Sequence, residues 1–199
     1  MAFLSLGLAL VTSAAAQRGP VKVVADDPKF EQIPSPTIGP GAVDKKHKPK
    51  DWLEMEVKFK VTGAKPKPVD GYIDSLEVQW FVIVKGEDRK NYRMEKTIKH
   101  INIPVGEEMV TSVYLSPSTL HRLTGKEKAS QNDLMGVGGE ITYNGQMVAF
   151  FTHGLKKGWW RQEVPGVITT QKFPLLNKNE TPYKMFWYDR YAEIAPERR

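Results

Sequence analysis

Cysteine is absent from all 199 residues. That excludes disulfides, thiol catalysis, zinc held on thiolates and iron–sulfur clusters, and leaves core packing to hold the fold, which this length permits. Histidine is scarce. His47, His100, His121 and His153 have no metal-ligand spacing among themselves or with nearby carboxylates, so no metal site is expected. No Gly-x-Ser-x-Gly elbow occurs, and Gly136-Val137-Gly138-Gly139 lacks the Lys-Ser/Thr of a phosphate loop, so these glycines read as structural. No cofactor is implied, and the chain does not read as an enzyme. Long apolar runs are missing too. The stretch Ala2–Val11 has the length of a signal-peptide h-region and is too short to span a bilayer.

What is present begins with that stretch. Thr12-Ser13-Ala14-Ala15-Ala16 supplies the small side chains a signal peptidase accommodates, so residues 1–16 read as a signal peptide cleaved after Ala16. No Lys or Arg precedes the apolar run; either the start lies downstream of the true one or the signal is weak. The alternative is an apolar N-terminal strand or buried helix. The expected location is outside the cytoplasm: periplasm, outer membrane or cell surface. With 29 basic against 23 acidic side chains the net charge is +6, which suits either acidic surfaces or simple solubility.

Residues 17–50 form a different material. Pro20, Pro28, Pro34, Pro36, Pro40 and Pro49 interrupt it, and Lys45, Lys46, His47, Lys48 and Lys50 cluster at its end. Proline lacks the amide donor and fixes φ, so the segment is expected to be an extended, poorly ordered arm with at most an edge strand at Val21–Val24. From Trp52 the pattern has period two. Leu53, Met55, Val57, Phe59 and Val61 alternate with Glu54, Glu56, Lys58 and Lys60, predicting a half-buried strand with a wet charged face. Leu76–Val84 reads as a central strand carrying Trp80, and Arg93–Ile103 and Glu108–Leu115 as two more. Ser116-Pro117-Ser118-Thr119 opens a short helix that Gly125 closes.

Asn144-Gly145 predicts a two-residue hairpin in which Tyr143 faces Gln146, Ile141 faces Val148 and Gly139 faces Phe150. The expected core is Leu53, Val57, Phe59, Val78, Trp80, Val82, Ile141, Val148 and Phe150. Residues 153–166 read as a loop, and Val167–Phe173 as a further strand. The fold class is all-β: an immunoglobulin-like β-sandwich over residues 51–199 with a short helix and an extended aromatic C-terminal tail from about residue 175.

The candidate interaction residues are aromatic. Tyr183, Phe186, Trp187, Tyr188 and Tyr191 crowd the tail beside Arg190, and Trp159, Trp160 and Arg161 occupy the preceding loop. Aromatics with arginine suit protein interfaces and sugar-stacking platforms. The competing reading packs these rings back onto the sandwich. After Pro182 the tail is expected to run extended, with Phe186 and Tyr188 on one face and Trp187 and Asp189 on the other.

The segment Thr181-Pro182-Tyr183-Lys184-Met185-Phe186-Trp187-Tyr188-Asp189-Arg190-Tyr191, with a cysteine-free sandwich and a signal peptide, resembles the pilus-like exported immunoglobulin-fold proteins of Verrucomicrobia, those of the Akkermansia type IV pilus-associated locus. The similarity covers roughly residues 50–191. It implies an envelope location, association with a pilus or outer-membrane assembly, and no catalysis. A type IV pilin itself has a Phe and a Glu at the head of some twenty-five apolar residues. Here Met1–Ala16 holds no acidic residue and Gln17-Arg18-Gly19-Pro20 ends the run, so an accessory or interaction protein is expected rather than a filament subunit. Envelope or pilus-assembly proteins are the expected partners; a second copy, an acidic glycan and a host surface are further candidates, and nucleic acid is not expected. A secreted glycan-binding or adhesive module is the alternative.

Overall fold

A computed structural model describes residues 21–37, 48–128 and 130–196. The signal-peptide expectation and most of the basic cluster lie outside those residues. Ten strands are formed: β1 (Val21–Ala25), β2 (Lys29–Pro34), β3 (Asp51–Ala64), β4 (Tyr72–Lys85), β5 (Asn91–Pro104), β6 (Glu108–Leu115), β7 (Leu134–Tyr143), β8 (Gln146–His153), β9 (Val167–Thr169) and β10 (Leu176–Asn177). They make two sheets. The first has the order β1-β3-β6-β10, with β2 also on β3; the second runs β8-β7-β4-β5-β9. Apart from the late additions β9 and β10, this is the immunoglobulin arrangement, A-B-E against G-F-C-C′.

The core between the sheets follows from the alternation. Leu53, Met55, Val57, Phe59 and Val61 of β3 meet Leu76, Val78, Trp80, Val82 and Val84 of β4, all buried. Trp80 sits on the C-like strand, as the core tryptophan of immunoglobulin sandwiches does. Its ring lies 4.5 Å from Phe151, and its Nε1–H donates to Thr111 Oγ1 at 3.4 Å. The α-helix among the described residues, α1 (Pro117–Thr124), caps as expected: Ser116 Oγ accepts from the Thr119 amide at 3.2 Å, and Gly125 closes it at φ 69°.

The Asn144-Gly145 turn forms, with Tyr143 opposite Gln146, but a bulge between Ile141 and Thr142 shifts the register beyond it. Ile141 pairs with Ala149 and Gly139 with Phe151. One extra residue exchanges the faces. Phe151 therefore enters the core, while Val148 and Phe150 are only partly buried. Gly139 is required there: a Cβ would lie 2.3 Å from the Gln79 carbonyl oxygen and 2.4 Å from the Phe151 ring.

Three further expectations need correction. Residues 29–34 are not a loose arm but strand β2, paired residue for residue with Glu56–Asp51 of β3. The prolines fall where they do no harm: Pro28 precedes the strand and Pro34 ends it, on a sheet edge. The face of β3 expected to be wet is wet only in part: Lys58 and Lys60 reach solvent, but its carboxylate end is covered. Glu54 and Glu56 are both 2% exposed, because the C-terminal tail folds across them. Residues 167–173 form a strand only at Val167–Thr169, parallel to β5.

Candidate functional site

The nine candidate residues separate into two places. Trp159, Trp160 and Arg161 form a 3₁₀ turn on the outer face of the second sheet, where the mixed pattern of β4 left Phe81 and Ile83 uncovered. Trp160 stacks on Phe81 (5.9 Å, 9°), and Trp159 stands at 81° to it. Trp160 also fills the space over Gly138, where a Cβ would meet its ring at 2.7 Å. Trp160 Nε1–H and Arg161 Nε–H both donate to Glu140 Oε1 at 2.6 Å. Both rings are buried, so they close a second small core and offer no face to a ligand.

The tail does the corresponding work on the first sheet. After β10 pairs with β6, Asn177 and Glu180 form a capping box around the 3₁₀ turn Lys178–Glu180. The segment beyond Pro182 is not extended. Lys184 N–H bonds Thr181 O and Phe186 N–H bonds Tyr183 O, and a second 3₁₀ turn spans Tyr188–Arg190. A buried cation enforces this compactness. Lys178 Nζ donates to the carbonyls of Lys184 (3.3 Å) and Phe186 (2.6 Å) and sits 4.6 Å over the Tyr191 ring. Burial holds its ammonium below the usual lysine range. Local carbonyls win over strand pairing here because an unpaired ammonium this deep would cost more than an extended backbone gains.

Two tyrosines anchor the loop. Tyr183 donates to the carbonyls of Ile33 (3.1 Å) and Pro34 (2.9 Å) in β2 and stacks on Tyr114 (5.7 Å). Tyr191 donates to Glu54 Oε1 at 2.7 Å, the oxygen that also accepts from Tyr114 at 2.6 Å. Arg190 reaches Glu56 Oε1 at 2.6 Å. Burial pushes the Glu54 carboxyl above its ordinary value, against the pull of the two hydroxyls, and also raises Tyr114, Tyr183 and Tyr191, which therefore stay protonated as donors. The chain then crosses from one sheet to the other: Ala192 N–H bonds Val110 O in β6, and Ile101 N–H in β5 bonds Glu193 O.

Between the anchors all seven residues, Lys184 to Arg190, are exposed, and four of them in a row are large and apolar or aromatic. Met185, Phe186, Trp187 and Tyr188 are 77%, 43%, 53% and 61% exposed, whereas Tyr183 and Tyr191 are buried. Trp187 is held at φ 50°, ψ 39°, a left-handed conformation that costs a bulky residue about 1–2 kcal/mol, and its ring lies 6.2 Å from Tyr183 at 22°. Such strain persists only where the surroundings over-determine it. The result is an apolar loop presented on a rigid base. Sequence reasoning found the aromatics but not the base: Glu54 and Glu56 read as a wet strand face, and the pattern did not single out Tyr114 or Lys178. The available signal was the match between two strand carboxylates and a tail holding two tyrosines and an arginine.

A family model matches residues 14–198. The chain belongs to that family. A solved relative, a crystal structure of a protein from Akkermansia muciniphila, is 38% identical, covers 89% of this chain and 95% of its own, and superposes with a TM-score of 0.82. At that likeness the two chains share the sandwich fold. No curated protein matches the chain. Among the described residues no helix is long and apolar enough to cross a membrane, and no group of His, Cys, Asp and Glu is arranged to hold a metal ion.

Proposed function

We propose that this is a non-enzymatic exported envelope protein that works by protein–protein contact, as an accessory component of a type IV pilus-like or outer-membrane assembly. The observation that carries the reading is the loop Met185–Tyr188: four large apolar side chains in sequence, exposed and fixed from beneath by Tyr183, Lys178 and Tyr191. A contiguous apolar patch on a rigid support is what a binding site requires, and aromatic and methionine side chains are the types enriched at interface centres. Its buried neighbours serve the fold, so the cost of exposing this loop has no structural return. The export reading of residues 1–16 and the resemblance to pilus-locus proteins supply the compartment.

A sugar platform would call for coplanar exposed rings. Phe186 and Trp187 are tilted by 52°, and Trp159 and Trp160 are buried, which favours a protein partner. The test is affinity purification of tagged protein from its native envelope, beside a variant carrying Met185→Ser, Phe186→Ser and Tyr188→Ser. These side chains are exposed, so the melting temperature should move by no more than a few degrees while co-purifying envelope proteins are lost. Retention of every partner by the folded variant would overturn the assignment.

A further inference from the structure

With no cysteine in the chain, its sulfur chemistry rests on methionine alone. The six methionines among the described residues are not equally open to an oxidant. Met55 and Met94 are buried at 0% and 1% exposure, and Met109 and Met135 are half-buried against the two apolar clusters. Met147 is 40% exposed, but Arg161 Nη2 donates to its sulfur at 3.3 Å and so occupies a lone pair. Met185 is 77% exposed, and among the described residues no donor caps its sulfur.

The place of Met185 in the loop gives that reactivity a consequence. The carbonyls on either side of it, those of Lys184 and Phe186, are both held by Lys178 Nζ. Its backbone is therefore pinned independently of its side chain, and oxidation there alters the surface and leaves the fold. Hydrogen peroxide supplies the oxygen. A sulfur lone pair attacks one peroxide oxygen, the O–O bond breaks, an S–O bond forms and water leaves; the thioether is oxidised by two electrons and the peroxide is reduced. A flexible apolar side chain becomes a polar one with a strong acceptor, inside the patch that has to give up its water on docking.

We propose that Met185 is an oxidation site that gates docking: the thioether form binds the partner, and the sulfoxide form does not. This rests on the reading of Met185–Tyr188 as the contact loop and adds its regulation. A partner seated on the loop shields the sulfur, so peroxide acts on the free protein and blocks assembly rather than undoing it.

Limiting hydrogen peroxide, applied to tagged protein purified from its native host, tests this. Peptide mass spectrometry should find the added oxygen first at Met185, with Met55 and Met94 untouched, and the melting temperature should move by no more than a few degrees. From detergent-solubilised native envelope the oxidised protein should capture its partners about tenfold less well than the untreated protein, the penalty of an unpaired acceptor in the interface. Methionine sulfoxide reductase with dithiothreitol should restore capture by reducing the sulfoxide back to the thioether and water. Met185→Leu should bind equally before and after peroxide, and Met185→Gln should bind weakly without it. Oxygen added first at another methionine, undiminished capture by the oxidised protein, or a peroxide-sensitive Met185→Leu would overturn the inference. Untreated protein that captures nothing would overturn the docking reading itself, and this inference with it.

Discussion

His100 makes the fold sensitive to acid between about pH 6.5 and 4, where the burial-raised carboxyl of Glu54 works in the opposite sense. Its ring is 1% exposed, with Nε2 2.9 Å from Thr111 Oγ1 and Nδ1 3.1 Å from Ala192 O and 3.3 Å from Glu193 O. The indole of Trp80 can only donate, so Thr111 accepts from it and gives its own proton to Nε2. That fixes the neutral ring with its proton on Nδ1, toward the tail carbonyls. Burial holds its pKa down at about 4 against an ordinary 6.5. Between those values the unfolded chain binds the extra proton and the fold does not, so stability falls as pH falls. The slope approaches 1.4 kcal/mol per pH unit, on the order of 3 kcal/mol over the window. The carboxyls of Asp88, Glu108, Asp133 and Glu140 are held below their ordinary values and add acid sensitivity only further down. Urea denaturation at pH 7.0, 6.0 and 5.0, followed by tryptophan fluorescence, should show the His100 slope as the difference between the native profile and that of a His100 variant. His100→Gln should lose about 1–3 kcal/mol at pH 7 and flatten the profile. Parallel profiles for the two proteins would refute the buried neutral ring.

Three other outcomes follow from the contacts. Tyr191→Phe removes one of the two hydroxyls on Glu54 and should cost about 1.5–3 kcal/mol, as for a bond to a charged group. Because the lost hydroxyl favours the charged carboxylate, the Glu54 pKa rises further, so the deficit should be larger at pH 8 than at pH 5; equal deficits in denaturant titrations would contradict this. Gly139→Ala should prevent stable folding, since its Cβ meets backbone at 2.3 Å, and a circular dichroism melt within a few degrees of the native one would show the β7–β8 register to be otherwise. Replacing Lys29–Pro34 by a Gly-Ser linker removes partly buried Phe30 and the strand that holds the backbone carbonyls accepting from Tyr183, about 3 kcal/mol or some 6–12 °C in Tm; an unchanged Tm would return the segment to the status of a loose arm.

The sandwich was legible because its signals are local. Alternation marks β3, β4 and β6, hydroxyl and glycine mark the ends of α1, and Asn144-Gly145 places the hairpin. What was lost depends on contacts distant in sequence. The bulge at Ile141 and Thr142 left Phe150 and Phe151 interchangeable by pattern, and only the fit of one ring over Gly139 decides between them. Glu54 and Glu56 read as wet because alternation reports which side chains share a face, not whether another segment covers it. Prolines argued against order in residues 17–50, yet Phe30 and Ile33 had an edge of β3 to join. The tail illustrates the same limit: its aromatics were conspicuous, but the ammonium of Lys178 and the carboxylate of Glu54 decide which of them turn inward.

The proposed function requires Met185–Tyr188 to be bare in the isolated protein and covered in the envelope. Hydroxyl-radical footprinting read by mass spectrometry measures this directly, on purified protein and on intact envelopes of the native host. Met185, Phe186, Trp187 and Tyr188 should oxidise readily in the purified protein and be protected in the envelope, while buried Trp80 and Tyr183 stay unreactive in both. Equal oxidation of the four residues in both preparations would contradict it.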